Sequence, residues 1–129
     1  MSVRHFTIKD PAMWHQPGDK QIFIGDVLDS SNSDTMSVGF CWYQKGESNE
    51  FIVTNHEALI VTRGVFTVRS SDGAKTAKVG EVIFLTKGTK VVYQGEEDDT
   101  EVVYVTYRHW MDAQTKSKHA HLLDSYHPV

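Results

Sequence analysis

Cysteine is almost missing from this chain. Cys41 stands alone, so no internal disulfide can form, and a thiol flanked by Phe40 and Trp42 is expected to lie buried in a reducing, cytoplasmic setting. Basic residues are also scarce: 13 Lys and Arg face 17 Asp and Glu, for a formal net charge of −4. That balance gives no electrostatic footprint for nucleic acid, which is excluded as a partner. No apolar run approaches the about 20 residues that cross a bilayer, so no membrane-spanning helix is expected. The opening Met1–Phe6 has neither an apolar core nor a small-residue cleavage site, so no signal peptide is expected either. What is present is 40% hydrophobic and 23% charged over 129 residues, the composition of one globular domain covering 1–129, without repeats or a linker.

Helical periodicity is lacking until the end, and short β-type runs punctuated by turn residues take its place. Met36–Tyr43 alternates bulky and small residues, as a strand with one crowded face would. Further strands are expected at Gln21–Ile24, Phe51–Thr54, Ala58–Thr62, Val65–Arg69, Lys75–Val79, Glu81–Leu85, Val91–Tyr93 and Glu101–Arg108. Asp72-Gly73 is a hairpin signal, because both residue types tolerate positive φ. Gln44–Asn49, Asp29–Asp34 and the acidic Gly95–Thr100 read as turns or loops. Many short strands with glycine-rich turns mean an all-β sandwich or barrel, with a core over about 20–110. The tail, 111–129, holds a helix-compatible stretch, Met111–Lys118, and then an extended or loosely docked end.

The stretch from Glu57 to Gly95 carries the most specific pattern. Glu57 to Gly64 reads E-x6-G, and Gly80-Glu81-Val82-Ile83-Phe84-Leu85-Thr86-Lys87-Gly88 follows after a hairpin. This spacing resembles the two motifs of the cupin superfamily, whose second motif runs G-x5-P-x-G-x2-H-x3-N. The metal ligands of that family are absent. The offsets of its H-x-H pair hold Glu50 and Ile52, or Phe51 and Val53; its second-motif histidine falls on Val91, its asparagine on Gly95 and its proline on Thr86. Glu57 alone remains. From about Ile24 to Trp110, the order of blocks (Met36–Phe40, Asn55-His56-Glu57, Val61–Gly64, Gly80–Phe84, Lys87-Gly88, Tyr104–Tyr107) is similar to that of EutQ-type cupins of ethanolamine utilisation. It departs from them at Asn55-His56, where those proteins tend to carry Tyr-Asp, and at Thr86. The resemblance implies a cupin jelly-roll barrel and a role near ethanolamine catabolism. It also implies a homodimer paired through edge strands and N-terminal segments, and the acetate-kinase-like activity attributed to some members. The sequence has no phosphate-cradling glycine loop to support that activity.

Strand alternation then nominates a pocket. If Glu57 points inward, so do Leu59 and Val61, while Ala58, Ile60 and Thr62 face out; on the second-motif strand Val91 and Tyr93 point inward. Glu57 and Tyr93 are the candidate catalytic pair, a desolvated carboxyl suited to acid–base chemistry, although a structural relic hydrogen-bonded to a tyrosine reads equally well. Trp42, Glu57, Val91, Tyr93 and Tyr104 are the candidate ligand contacts, with most of the large aromatic set assigned to the core. Glu50, His56 and Glu57 are the nearest approach to a metal site, with His109 a distant fourth; no metal and no cofactor are expected. His56 faces away from Glu57 on a regular strand. His119-Ala120-His121 matches H-x-H as text but lies beyond the last strand. Lys87 and Lys90 flank the second-motif turn and could attract an anion. Three functions stay open: a metal-free barrel binding a small anionic or amine-bearing metabolite, a metal-dependent or Glu57-based cupin enzyme, and a non-catalytic partner of a metabolic complex.

Overall fold

The structure, a computed structural model, describes residues 2–129; Met1, the first residue of the stretch read for a signal peptide, lies outside the described residues. In chain order the elements are β1 (His15–Pro17), β2 (Ile22–Leu28), β3 (Met36–Tyr43), β4 (Ser48–Ile52), β5 (His56–Arg63), β6 (Val65–Ser70), β7 (Gly73–Lys78), β8 (Val82–Leu85), β9 (Lys90–Gly95) and β10 (Thr100–Tyr107), then the helix α1 (Trp110–Lys116), a 3-10 turn (Ala120–Leu123) and β11 (Tyr126–Pro128). They form a seven-stranded sheet in the order β11-β1-β2-β3-β10-β5-β8 and a four-stranded sheet in the order β4-β9-β6-β7. All pairings between these strands are antiparallel. One hydrophobic cluster, drawn from both sheets, fills the space between them. The all-β jelly roll is therefore as expected. The closed barrel is not: β8 and β11 end one sheet, β4 and β7 the other, and no ladder joins them. The two sheets keep four edge strands where a barrel has none.

The E-x6-G glycine has a double reason to be glycine. Gly64 takes φ +78°, and a β-carbon there would meet the Thr100 side chain, with the Thr100 Cα only 2.9 Å away. A close turn against the start of β10 admits no larger residue.

The structure decides two points that the sequence left open. On β3 the small residues Ser37, Gly39 and Cys41 face the core, whereas Met36, Val38, Phe40 and Trp42 lie on the outer face. Alternation identified two faces but could not say which was inside; Phe40 and Trp42, part of an aromatic set expected mostly in the core, lie on the outer one. Of the two readings of the chain's end, extended or loosely docked, the extended one holds over Tyr126–Pro128. β11 pairs with β1, the Gly18 N–H donates to the Ser125 carbonyl (2.8 Å) and the Val129 N–H to that of Trp14 (3.0 Å). Among the described residues no helix is long and apolar enough to cross a membrane.

Candidate functional site

Between the sheets lies a cavity, to which β3 contributes Cys41 and Tyr43. It has a volume of about 50 Å³, on a measure in which one water needs about 10–15 Å³. A few waters or a ligand of a few heavy atoms would fill it. Aromatic rings dominate its wall: Tyr43, Phe51, Phe66, Tyr93, Tyr104 and Trp110. Glu57, Cys41, Asn49, Thr106 and Gln114 add polar atoms, and Thr54 and Asn55 come from the connection between β4 and β5. No Lys, Arg or His lines it.

Glu57 lies on the inner face of β5, in register with Thr106 on β10 and Leu85 on β8. Its Oε1 accepts a hydrogen bond from the Tyr93 hydroxyl at 2.8 Å, a contact that bridges the two sheets. Oε2 has no protein partner among the described residues and keeps accessible surface. Apolar surroundings desolvate the carboxyl and push its pKa up to about 7, against a smaller downward pull from Tyr93. Burial also raises the Tyr93 phenol, and the neighbouring Glu57 charge raises it further, so Tyr93 stays a proton donor to the carboxylate. The Cys41 thiol is likewise driven up by burial, then by Glu57, and is inert as a nucleophile in this setting.

A second carboxyl supports the wall from behind. Oδ1 of Asp26, on β2, accepts from the Tyr104 hydroxyl and from Trp110 Nε1–H (2.9 Å), which fixes two rings that face the cavity. Desolvation raises its pKa despite these donors. The Tyr43 hydroxyl donates to Asn49 Oδ1 (2.5 Å), and Asn49 Nδ2 donates to the Tyr126 hydroxyl (2.7 Å), tying the tail to the core. The Thr54 hydroxyl donates to Oε1 of Gln114, which is 2% exposed.

The expected residues are brought together only in part. Glu57, Tyr93 and Tyr104 face one cavity. Trp42 does not: it stands on the outer face of β3 beside Phe23, ring centroids 5.7 Å apart. Val91 points inward, but at 1% exposed it is packed in the core and does not reach the cavity wall. Glu50 and His56 are both exposed, and His56 Nδ1 accepts the Lys87 N–H at 3.1 Å while its ring stacks on Phe84. Neither joins Glu57. His109 meets Ser37 instead (3.3 Å). Lys87 and Lys90 are exposed and outside the cavity wall. His119 and His121 belong to the 3-10 turn region, not to an extended pair.

A cupin metal would need ligands that this pocket lacks. Valine occupies the second-motif histidine position, and among the described residues no three His, Cys, Asp or Glu side chains converge. The residues present do not fit such an ion. Asp26, Asn49, Thr54, Thr106 and Gln114 were not anticipated. Asp26 had a visible signal, a charge inside the apolar run Ile22–Leu28; Gln114 had none, since a seven-residue helix is too short to show a face.

Two facing antiparallel sheets with a side-chain-lined cavity between them are shared with solved cupin-fold proteins, and the fold is that of a cupin. A family model described as "Ethanolamine utilisation protein EutQ" matches residues 9–112, and the chain belongs to that family. Among solved structures it is similar to a protein of unknown function from Rhizobium leguminosarum bv. viciae, at 27% identity over 84% of this chain and 100% of that one, TM-score 0.70. It is also similar to the EutQ protein of Clostridium difficile (21% identity, 78% and 70% covered, TM-score 0.68). A putative ethanolamine utilisation protein Q from Salmonella typhimurium matches at 20% identity, 68% and 70% covered, TM-score 0.63. No curated protein matches the sequence.

Proposed function

We propose that this chain binds a small, amine-bearing metabolite in the cavity between its sheets, as a metal-independent EutQ-like cupin acting in ethanolamine catabolism. The observation that carries this reading is Glu57 Oε2, an unpartnered carboxylate oxygen in a cavity walled by aromatic rings and free of lysine, arginine and histidine. An ammonium group satisfies such an oxygen by a charge-assisted hydrogen bond and gains further from the faces of the surrounding rings. An anion finds no positive group there. The family name supplies the metabolic setting, and the unpaired Cys41 thiol suits a reducing cytoplasm.

A second reading rests on the same pair. A carboxyl held at about 7 by burial and steadied by Tyr93 is poised to exchange a proton near neutrality, so Glu57 would serve as a metal-free acid or base on the bound ligand.

Titration of the protein with ethanolamine and other short primary amines, followed by calorimetry and by NMR shifts, tests the binding. Amines bind and acetate does not. Glu57→Gln weakens binding by about tenfold or more, in line with the about 1.5–3 kcal/mol of a hydrogen bond to a charged group. Binding of acetate in preference to amines, or equal amine binding by parent and variant, would overturn the assignment.

A further inference from the structure

We infer, resting on the amine-binding role proposed for Glu57, that the ligand is a short amino alcohol with its hydroxyl on the carbon next to the amine-bearing one, and that Asn55 selects it by hydrogen-bonding that hydroxyl. Asn55 immediately precedes β5 and lines the cavity together with Glu57, while His56 between them is exposed. Two residues apart, their Cα atoms are at most about 7 Å from each other. Glu57 offers the unpartnered Oε2. Asn55 offers an amide whose Nδ2 has no protein partner among the described residues and whose Oδ1 meets only the Thr54 hydroxyl, at 3.5 Å. Its polar neighbours are better occupied: the Thr54 hydroxyl donates to Gln114 Oε1 at 3.1 Å, and Gln114 Nε2 reaches the His119 carbonyl at 3.4 Å. One short stretch of chain thus sets a free carboxylate oxygen beside a free amide.

The ligand's second group must hydrogen-bond, because a methyl group in its place would leave the Asn55 amide without a partner. It must also be neutral. No Lys, Arg or His lines the cavity to pair with a carboxylate, and Glu57 would repel one. A hydroxyl meets both conditions, and as donor and acceptor it can serve the amide's oxygen as well as its nitrogen. Distance fixes where it sits. A nitrogen and an oxygen on adjacent carbons lie about 3–4 Å apart at ordinary bond lengths. With a hydrogen bond of about 3 Å at each end, they bridge two side chains that start this close together. Volume sets the same bound. A cavity of about 50 Å³ holds about three to five non-hydrogen atoms at about 10–15 Å³ each, which excludes longer or branched chains.

Calorimetric titration of the full chain with ethanolamine, propylamine and glycine tests it. Propylamine has the shape of ethanolamine with a methyl group where the hydroxyl stands, and glycine puts a carboxylate there. Ethanolamine binds about tenfold more tightly than propylamine, as expected when an amide loses its partner, and glycine does not bind. Asn55→Ala lowers the ethanolamine affinity to that of propylamine and leaves propylamine unchanged. Asn55→Ser, which restores a hydrogen-bonding group, recovers part of the difference. Both variants keep the circular dichroism of the parent, since the Asn55 side chain makes no hydrogen bond shorter than 3.5 Å. Equal affinity of the parent for the two amines overturns the inference and leaves amine binding intact. So does a preference for ethanolamine that Asn55→Ala retains, or glycine binding as tight as that of ethanolamine. Binding of neither amine overturns the inference and the amine-binding role together.

Discussion

At Gly39 a β-carbon would meet the Tyr104 hydroxyl and the carbonyl oxygen of Gly25, so one missing side chain decides where an aromatic ring can lie. Tyr104 crosses over Gly39 and reaches Asp26, and its ring becomes part of the cavity wall. Gly39→Ala must push Tyr104 aside or shift β2, and overpacking of this kind costs about 1–3 kcal/mol. We expect a lower urea midpoint together with loss of amine binding, measured by denaturation and by calorimetry. A variant as stable as the parent would mean that Tyr104 moves freely. Glu57 is the opposite case, a residue whose inward position was legible because the E-x6-G spacing marks it. Its partner Tyr93 was also legible, since both sit at inward positions by simple alternation. Asp26 stood out as a charge in an apolar run, but its partners were not legible, because the two donors are 78 and 84 residues away in sequence.

Among the elements, α1 and the tail matter most to the site. Trp110, the first residue of α1, stands edge-on to Phe51 and Tyr104 and donates to Asp26. Gln114, one turn on, caps the same end through Thr54. The tail then returns to the sheet as β11 and reaches Asn49 through Tyr126. These segments form a wall that the strands alone do not supply. Trp110→Ala is therefore expected to open the cavity and raise the reaction rate of Cys41 with a small aromatic disulfide reagent by about tenfold or more, with far-UV circular dichroism unchanged. The rate scale is set by how often a buried thiol meets solvent. An unchanged rate would show that Trp110 does not seal the cavity. The sequence indicated a helix here but not its docking, because a short helix gains its place from packing rather than from its own periodicity.

Taken as a whole molecule, the chain carries two carboxyls raised by burial, Glu57 to about 7 from 4.5 and Asp26 from 3.8. The native state then binds more protons than the unfolded state between the two values for each group. For Glu57 the stabilising contribution is fully present below about 4.5 and is lost as pH rises to about 7, a change on the order of 3 kcal/mol. Urea midpoints should fall between about pH 5 and about pH 7 and level off above. Glu57→Gln, which keeps an acceptor for Tyr93, should flatten most of that slope. A parent protein whose midpoint rises over the same interval would mean that Glu57 is solvated and that the cavity is open.

The sequence by itself determined the all-β architecture, most strand positions, and the inward aim of Glu57 and Tyr93. These follow from local properties: turn residues, period-two alternation and motif spacing. Only tertiary structure decided which face of β3 is the core, that Trp42 lies outside and Val91 beneath the cavity wall, and that the sheets stay unclosed. It also decided that a helix and a returning tail complete the pocket. Alternation has two solutions of equal local merit, and the choice between them is made by volume. Small residues on β3 leave room for Tyr104, and the bulky ones are left to cover an outer face.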